Sequence, residues 1–361
     1  MNTSGRSTVG FRVGAFTDRL GLRLPILLAP MAGACPPSLS IAVANAGGMG
    51  ACGALLMQPN EILAWAEQFR RGSTGKFQLN LWIRDPEPIR DAALEQRQRE
   101  FLAGWGSEVP ASAGDSVLPD FDAQCQAVLE ARPRAISSIM GLYPPAFVSE
   151  MKARGALWLA VATTVAEARA AEAAGADAIV VQGMEAGGHR GAFNAASAET
   201  EMVGLFALLP QVANAVKVPV IATGGIADGR GVAAALVLGA SAVQIGTGFL
   251  RSPEAKVHPA YADRIGATEA HQTLVTRAFT GRPGRSIANR YALACATPGA
   301  PAPAPYPIQR GFTRGMRDEA VKSGDSERMQ MWAGQAAKLA QAKPAGEIAQ
   351  QLWADAQRLL A

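Results

Sequence analysis

The sharpest chemistry-bearing stretch of this chain is Gln182-Gly183-Met184-Glu185-Ala186-Gly187-Gly188-His189-Arg190-Gly191. Histidine is the side chain best able to take or give a proton near neutral pH, and His189 is one of only three in 361 residues. The two glycines before it permit positive φ and bring loop backbone close to a ligand. A proton-transfer role is expected of His189; the plainer alternative is a loop histidine hydrogen-bonded for structure alone. His258 and His271 lie beside no predicted site strand and are expected to be structural.

Two further motifs consist of small residues at predicted strand ends, Thr223-Gly224-Gly225-Ile226 and Gln244-Ile245-Gly246-Thr247. Small residues let backbone N–H groups approach an anion, and a helix starting near Asp228 would add its positive end. A phosphate site is expected there, with ordinary tight-turn glycines as the alternative. Gly48-Met49-Gly50-Ala51-Cys52-Gly53 matches GxGxxG literally. It follows a helix-like segment and precedes a strand, the reverse of the dinucleotide fingerprint, so it is expected to be a turn feeding the second strand. The chain carries no Walker loop, GxSxG elbow or HExxH. Arg70-Arg71 and the Arg282–Arg290 group are expected to be solvated faces, the second with the option of closing over a negative ligand.

The elements that must position these residues are short β-rich runs alternating with helix-like segments. Strands are expected over Pro25–Ala29, Ala51–Leu56, Phe77–Ile83, Ala135–Ile139, Leu157–Thr163, Ala178–Gln182, Pro219–Thr223 and Ala242–Gly246. Helices are expected over Ser38–Ala46, Pro59–Arg70, Pro86–Ala103, Pro145–Arg154, Val165–Ala174, Met202–Val216 and Gly229–Leu238. Apolar strands separated by helices read as parallel βα units. Eight such units suggest a closed α/β barrel of the (β/α)8 (TIM) type, whose active site lies at the C-terminal strand ends; a doubly wound open sheet is the alternative. The barrel is expected over 16–276, with a Gly/Ser/Asp-rich excursion near 104–127. Residues 277–361 are expected to form a smaller, mainly helical cap and tail, with amphipathic helices around Asp325–Ala340 and Glu347–Leu360 and a proline-rich stretch at 298–307.

Composition narrows the function classes. Hydrophobic residues make up 49% and charged residues 18%, which excludes a disordered chain. A net charge of +4 is too weak over this length to suggest nucleic acid. The uncharged stretches 24–60 and 231–250 are broken by prolines and glycines, so no membrane span is expected. Cys35, Cys52, Cys125 and Cys295 show no CxxC, which fits a reduced, cytoplasmic protein with no metal site.

The segments "PILLAPMAGA", "NLW", "VVQGMEAGGHRG", "PVIATGGIADGRG" and "SAVQIGTGFLRSPEA", with the later "TRAFTGRPGRSIAN", resemble the nitronate monooxygenases, formerly 2-nitropropane dioxygenases. Flavin-dependent quinone reductases and FMN-type enoyl-ACP reductases are relatives of that group. The resemblance implies a (β/α)8 barrel holding one non-covalent FMN under a helical cap. Pro30 and Met31 would lie beside the flavin ring, and Asn80 and Gln182 would hydrogen-bond the flavin or its ribityl chain. Gly187, Gly224 and Gly225 would offer backbone contacts, and Gln244, Gly246 and Thr247 would reach the phosphate. His189 falls on the family's catalytic histidine. Protonated, it would hold a nitronate over the flavin; neutral, it would remove the α-proton of a nitroalkane. With no lysine at a strand end, Gln182 and backbone N–H groups would have to stabilise the reduced ring. The implied partners are a small nitronate or nitroalkane and O2, and a homo-oligomer is compatible with this reading. Two alternatives remain: an FMN-dependent NAD(P)H:quinone or enoyl-thioester reductase, and a non-catalytic barrel binding a phosphorylated metabolite.

Overall fold

A computed structural model describes residues 8–361. Eleven strands occur in it: β1 Ile26–Leu28, β2 Met49–Gly53, β3 Lys76–Trp82, β4 Ala135–Ile139, β5 Leu157–Ala162, β6 Ala178–Gln182, β7 Gly188–His189, β8 Val220–Thr223, β9 Ala242–Ile245, β10 Thr273–Thr276 and β11 Gly284–Ile287. Eight of these, β1 to β6 with β8 and β9, form a closed all-parallel barrel in that order. The ring is sealed where Ile26, Leu27 and Leu28 pair with Val243, Gln244 and Ile245. Closure excludes the open-sheet alternative.

The surrounding helices are α1 Thr8–Leu20, α2 Pro37–Ala46, α3 Pro59–Gly72, α4 Ala92–Ala103, α5 Phe121–Glu130, α6 Pro145–Ala153, α7 Val165–Ala173, α8 Leu205–Ala215 and α9 Gly229–Val237. After β9 come α10 Pro259–Ala267, α11 Arg290–Ala294, α12 Ile308–Phe312, α13 Arg314–Ser323 and α14 Ala345–Leu360. Among the described residues no helix is long and apolar enough to cross a membrane.

Strand side chains alternate between two layers, as the two-residue period requires. Trp158, Ala160 and Ala162 of β5 face the helices, while Leu159 and Val161 face the barrel interior. The interior is apolar at its base, where Phe16 and Leu20 of α1 pack with Leu27, Met49, Ala135 and Ala178. Further along the same inward register the residues become polar: Gln78, Asn80, Ser137, Gln182 and Gln244 are all buried. The site chemistry is thus aimed at the C-terminal mouth by strand register alone.

Local expectations shift in several places, among them α5, which forms across the end of the expected excursion. Strand two begins at Met49, so Gly50 and Gly53 are strand residues rather than a turn. A Cβ on Gly50 would meet Phe69 Cε2 at 2.8 Å and Ser40 O at 2.9 Å, so the glycine permits close helix–strand packing. The helix expected from Pro86 starts only at Ala92, capped by Asp91, whose carboxylate accepts the Leu94 N–H at 3.0 Å. Asp325–Ala340 is not an α-helix. Gly324 ends α13 at φ +69, Asp325 accepts the Glu327 N–H in a turn, and Trp332 bridges to Ser286. Tertiary pairing overrides an amphipathic pattern there.

The cap is built from β10, β11 and β7, an antiparallel sheet in the order β10-β11-β7, and from the segments around α10 to α13. Its core joins Phe279, Tyr291, Ala304, Ile308, Phe312 and Met316 to Leu102 of α4. The tail helix α14 turns back to the barrel and packs on α9 and α2. There it supplies the outer helix of the last βα unit, burying Ile348, Ala349, Leu352 and Ala356.

Candidate active site

β7 carries His189 from the barrel mouth into the cap sheet, where Gly284 of β11 is its partner. Gly188 adopts φ +77, the left-handed conformation that makes this departure from β6 possible without strain. Gly187 serves a different end: a Cβ there would lie 2.4 Å from Gly334 N, so its bareness lets the cap segment Ala333–Gly334 cross the loop.

The His189 ring stands between two indoles. Trp82, at the end of β3, meets it edge-on with centroids 4.6 Å apart, and Trp332 of the cap lies 4.8 Å away on a tilted plane. Tyr306 extends the aromatic wall, 5.5 Å from Trp82. Nε2 of His189 lies 2.9 Å from Thr280 Oγ1. Burial, reinforced by the cations of Arg282 and Arg310, lowers the histidine pKa from 6.5 to about 3. Both causes disfavour the protonated ring when no anion lies beside it.

The arginines near the loop are not a solvated face. Arg282 is 1% exposed, ion-paired to Asp85, with Nη2 donating to Ala192 O at 2.7 Å. Buried Arg285 donates to Met184 O at 2.9 Å and to Thr273 Oγ1 at 3.0 Å. Both are drawn inside because loop carbonyls need donors where water is excluded. Arg310 differs: its side chain makes no hydrogen bond or ion pair among the described residues. By contrast Arg71 pairs with Glu67 on an open surface.

On the barrel side, Gln182 Oε1 accepts from Gly191 N at 2.8 Å and from Arg190 Nη1 at 3.2 Å, while Nε2 donates to His189 O at 3.1 Å. One amide hydrogen is left for a ligand. Arg190, also 1% exposed, places a cation behind this amide where no strand-end lysine exists. Asn80 spends both amide hydrogens on Ser137, at O and Oγ, and so presents only its Oδ1 acceptor. Gln244 Oε1 accepts from Gln78 Nε2 at 3.0 Å, leaving its own amide hydrogens available. Gln78 Oε1 is buried without a partner.

The two small-residue motifs are neighbours because Thr223 pairs with Gln244 across β8 and β9. Gly224 and Gly225 have φ +108 and +69. The backbone N–H groups of Gly224, Gly225, Gly246 and Thr247 find no acceptor among the described residues. Thr247 Oγ1 accepts Gly334 N–H at 3.1 Å and keeps its own proton to donate. A cluster of free N–H donors is a cradle for an anion such as a phosphate. At the start of α9, Asp228 caps the helix, accepting Gly231 N–H at 3.0 Å and pairing with Arg230. Met31 lines the near side, with its Sδ 3.1 Å from where a Gly246 Cβ would be. The loop from Pro30 is tied by Cys35, whose Sγ accepts Met31 N–H at 3.3 Å and donates to Ala29 O at 3.2 Å.

Thr280, Tyr306, Arg310 and Trp332 were not legible as site residues, since all four come from the cap. His258 and His271 lie elsewhere; His258 caps α10 through Nδ1, which accepts Ala260 N–H at 3.2 Å. Of the four free cysteines, Cys35, Cys52 and Cys125 are buried.

A closed parallel barrel whose sixth strand leads into the loop carrying His189, roofed by a cap, is a (β/α)8 barrel with a candidate site at its C-terminal mouth. A family profile described as nitronate monooxygenase matches residues 15–355. A nitronate monooxygenase of Paraburkholderia phytofirmans is 40% identical over 345 residues, covering 94% of this chain and 93% of that one. One from Pseudomonas aeruginosa is 37% identical, with 92% and 96% covered. Among solved structures, the nitroalkane oxidase of Streptomyces ansochromogenes superposes with a TM-score of 0.86 at 35% identity, covering 96% of this chain and all of that one. FabK of Thermotoga maritima gives 0.74 at 30%, with 96% of each chain covered. The chain belongs to the nitronate monooxygenase family, a flavin-dependent one.

Proposed function

We propose that this enzyme holds FMN and uses O2 to convert alkyl nitronates to carbonyl compounds and nitrite. The observation that carries the reading is His189 held between Trp82 and Trp332 and against Thr280, where burial and the nearby Arg282 and Arg310 disfavour its protonated form. A base of that kind suits a carbon acid whose conjugate base is an anion: the base accepts the proton and the arginines favour the charge left behind.

FMN rather than FAD is supported by a single phosphate-sized cradle at Gly224, Gly225, Gly246 and Thr247. Asn80 would supply an acceptor, Gln182 and Gln244 donors, and Pro30, Met31 and Gly187 the walls around the ring. When bound, the flavin supplies the electron acceptor for the nitronate and the route to O2. The protein's part is to bind and orient. Trp82 and Trp332 hold the His189 ring between them, Gln182 holds one donor toward the cofactor, and Arg190 keeps that amide from turning over. Arg310 offers a charge to the anionic substrate.

The similarity to FabK favours a second reading, reduction of an enoyl thioester by NAD(P)H on the same barrel. An oxygen electrode with a nitrite assay, run beside anaerobic mixing with NADH, separates the two. Oxygen uptake and nitrite release with an alkyl nitronate, without NADH consumption, are expected. Rapid flavin reduction by NADH with no nitrite from any nitronate would sink the proposal.

A further inference from the structure

Thr280 sits at the start of a turn that is anchored on every side. A Cβ on Gly281 would lie 2.3 Å from Ala304 O, so that residue is pressed against the cap. Arg282 is fixed by Asp85 and Ala192, and Pro283 O accepts Arg190 N–H at 2.9 Å. The Thr280 hydroxyl is therefore presented to His189 from rigid backbone.

A threonine hydroxyl has one proton and can also accept. Here it has two neighbours that could take the proton, the Arg282 carbonyl at 3.2 Å and His189 Nε2 at 2.9 Å. The Arg282 N–H points at the same oxygen from 3.4 Å. If the proton goes to the carbonyl, Oγ1 accepts from Nε2–H and both neighbours are satisfied. If it turns to Nε2, the neutral ring must carry its hydrogen on Nδ1, and the buried Arg282 carbonyl loses its Thr280 partner. A buried carbonyl without a partner is costly, so the first arrangement prevails.

We infer that Thr280 is a positioning residue that holds His189 as its Nε2–H tautomer, so that Nδ1 carries the lone pair that accepts the substrate proton. The inference rests on the proposed role of His189 as the base, and assigns the atom that does the work. The substrate α-carbon must then approach the Nδ1 edge of the ring, and the Nε2 edge is closed to it by the 280–283 turn.

The test is long-range 1H–15N correlation spectroscopy of His189 in the flavin-loaded enzyme near neutral pH, with the His189→Asn protein for assignment. The expected spectrum has Nε2 protonated and Nδ1 bare. Thr280→Ser keeps the hydroxyl and should keep both the tautomer and the turnover. Thr280→Val removes the acceptor. It should raise the Nδ1–H form to a measurable fraction and lower kcat on a neutral nitroalkane by about three- to tenfold, with preformed nitronate affected less than about twofold. A wild-type spectrum with hydrogen on Nδ1, or a Thr280→Val protein unchanged in both tautomer and kcat, would overturn the inference. Should Thr280→Val not fold, the wild-type and Thr280→Ser spectra decide alone. The spectra are read without substrate, so they stand or fall separately from nitronate turnover.

Discussion

Gly187 and Gly334 cross with no room between them: a Cβ on the first would lie 2.4 Å from the backbone nitrogen of the second, and a Cβ on Gly334 would come 3.0 Å from Gly187 N. The loop that carries His189 and the cap segment that carries Trp332 meet at this crossing. Gly187→Val should push the segment 331–334 off the loop, move Trp332 away from His189 and lower kcat by at least about tenfold, the scale on which misplaced catalytic groups act. Limited proteolysis should cut the variant faster within 325–340 than the wild type. Wild-type kcat in Gly187→Val would show that the crossing does not matter.

His189 gives a pH prediction with a definite sign. Its folded-state pKa is depressed from 6.5 to about 3, so the base is present throughout the range above that value. kcat/KM for a neutral nitroalkane should show no acid limb near 6.5. Between those two values the unfolded chain binds a proton that the folded chain does not, so stability falls as pH falls through the window, by no more than about 1.4 kcal/mol per pH unit. Urea unfolding at neutral and mildly acid pH should show the loss in wild type and less of it in His189→Asn. The same variant should keep its flavin and lose ~10²–10⁴ in nitroalkane turnover.

Gly225 tests the anion cradle. Its φ of +69 disfavours any side chain, and a Cβ there would press on Glu185 Cβ at 3.2 Å. Gly225→Val should lower the flavin content of the purified protein while far-UV circular dichroism stays that of the folded barrel. Released cofactor from the wild type should be FMN by chromatography; FAD in its place would contradict the single-phosphate reading.

Arg310 tests the charge argument. Arg310→Met removes a side chain that makes no hydrogen bond or ion pair among the described residues, so little stability should be lost. KM for an anionic nitronate should rise about tenfold, the scale of a hydrogen bond to a charged group, and KM for the neutral nitroalkane should hardly change. Equal changes for both substrates would remove Arg310 from substrate binding.

The barrel was readable because its signal is repetitive. Each apolar run is buried on both faces, and glycines such as Gly175 and Gly239, at φ +96 and +117, mark where helices stop. Strand-end residues such as Gln182 and Gly225 follow from strand position alone. The cap carries no such repeat. Trp332 lies in a segment whose charge pattern imitates a helix, and its place is set by pairing with Ser286, nearly fifty residues earlier in the chain. The buried arginines were misread for a related reason: nothing local distinguishes Arg282, which ends beside Asp85, from an arginine in water.

The position of α14 bears on how the protein is made. Val232, Ala233 and Leu236 of α9 and the matching side of α2 lie under a helix that ends at Leu360, while the strands they support are complete by Ile245. During synthesis the strands leave the ribosome roughly a hundred residues before the helix that covers this apolar strip. The nascent barrel must wait, partly bare, until the whole cap has emerged. The contact of α14 with α2 joins elements roughly three hundred residues apart, among the longest-range in the chain, and the apolar strip it covers is a natural point for chaperones to act.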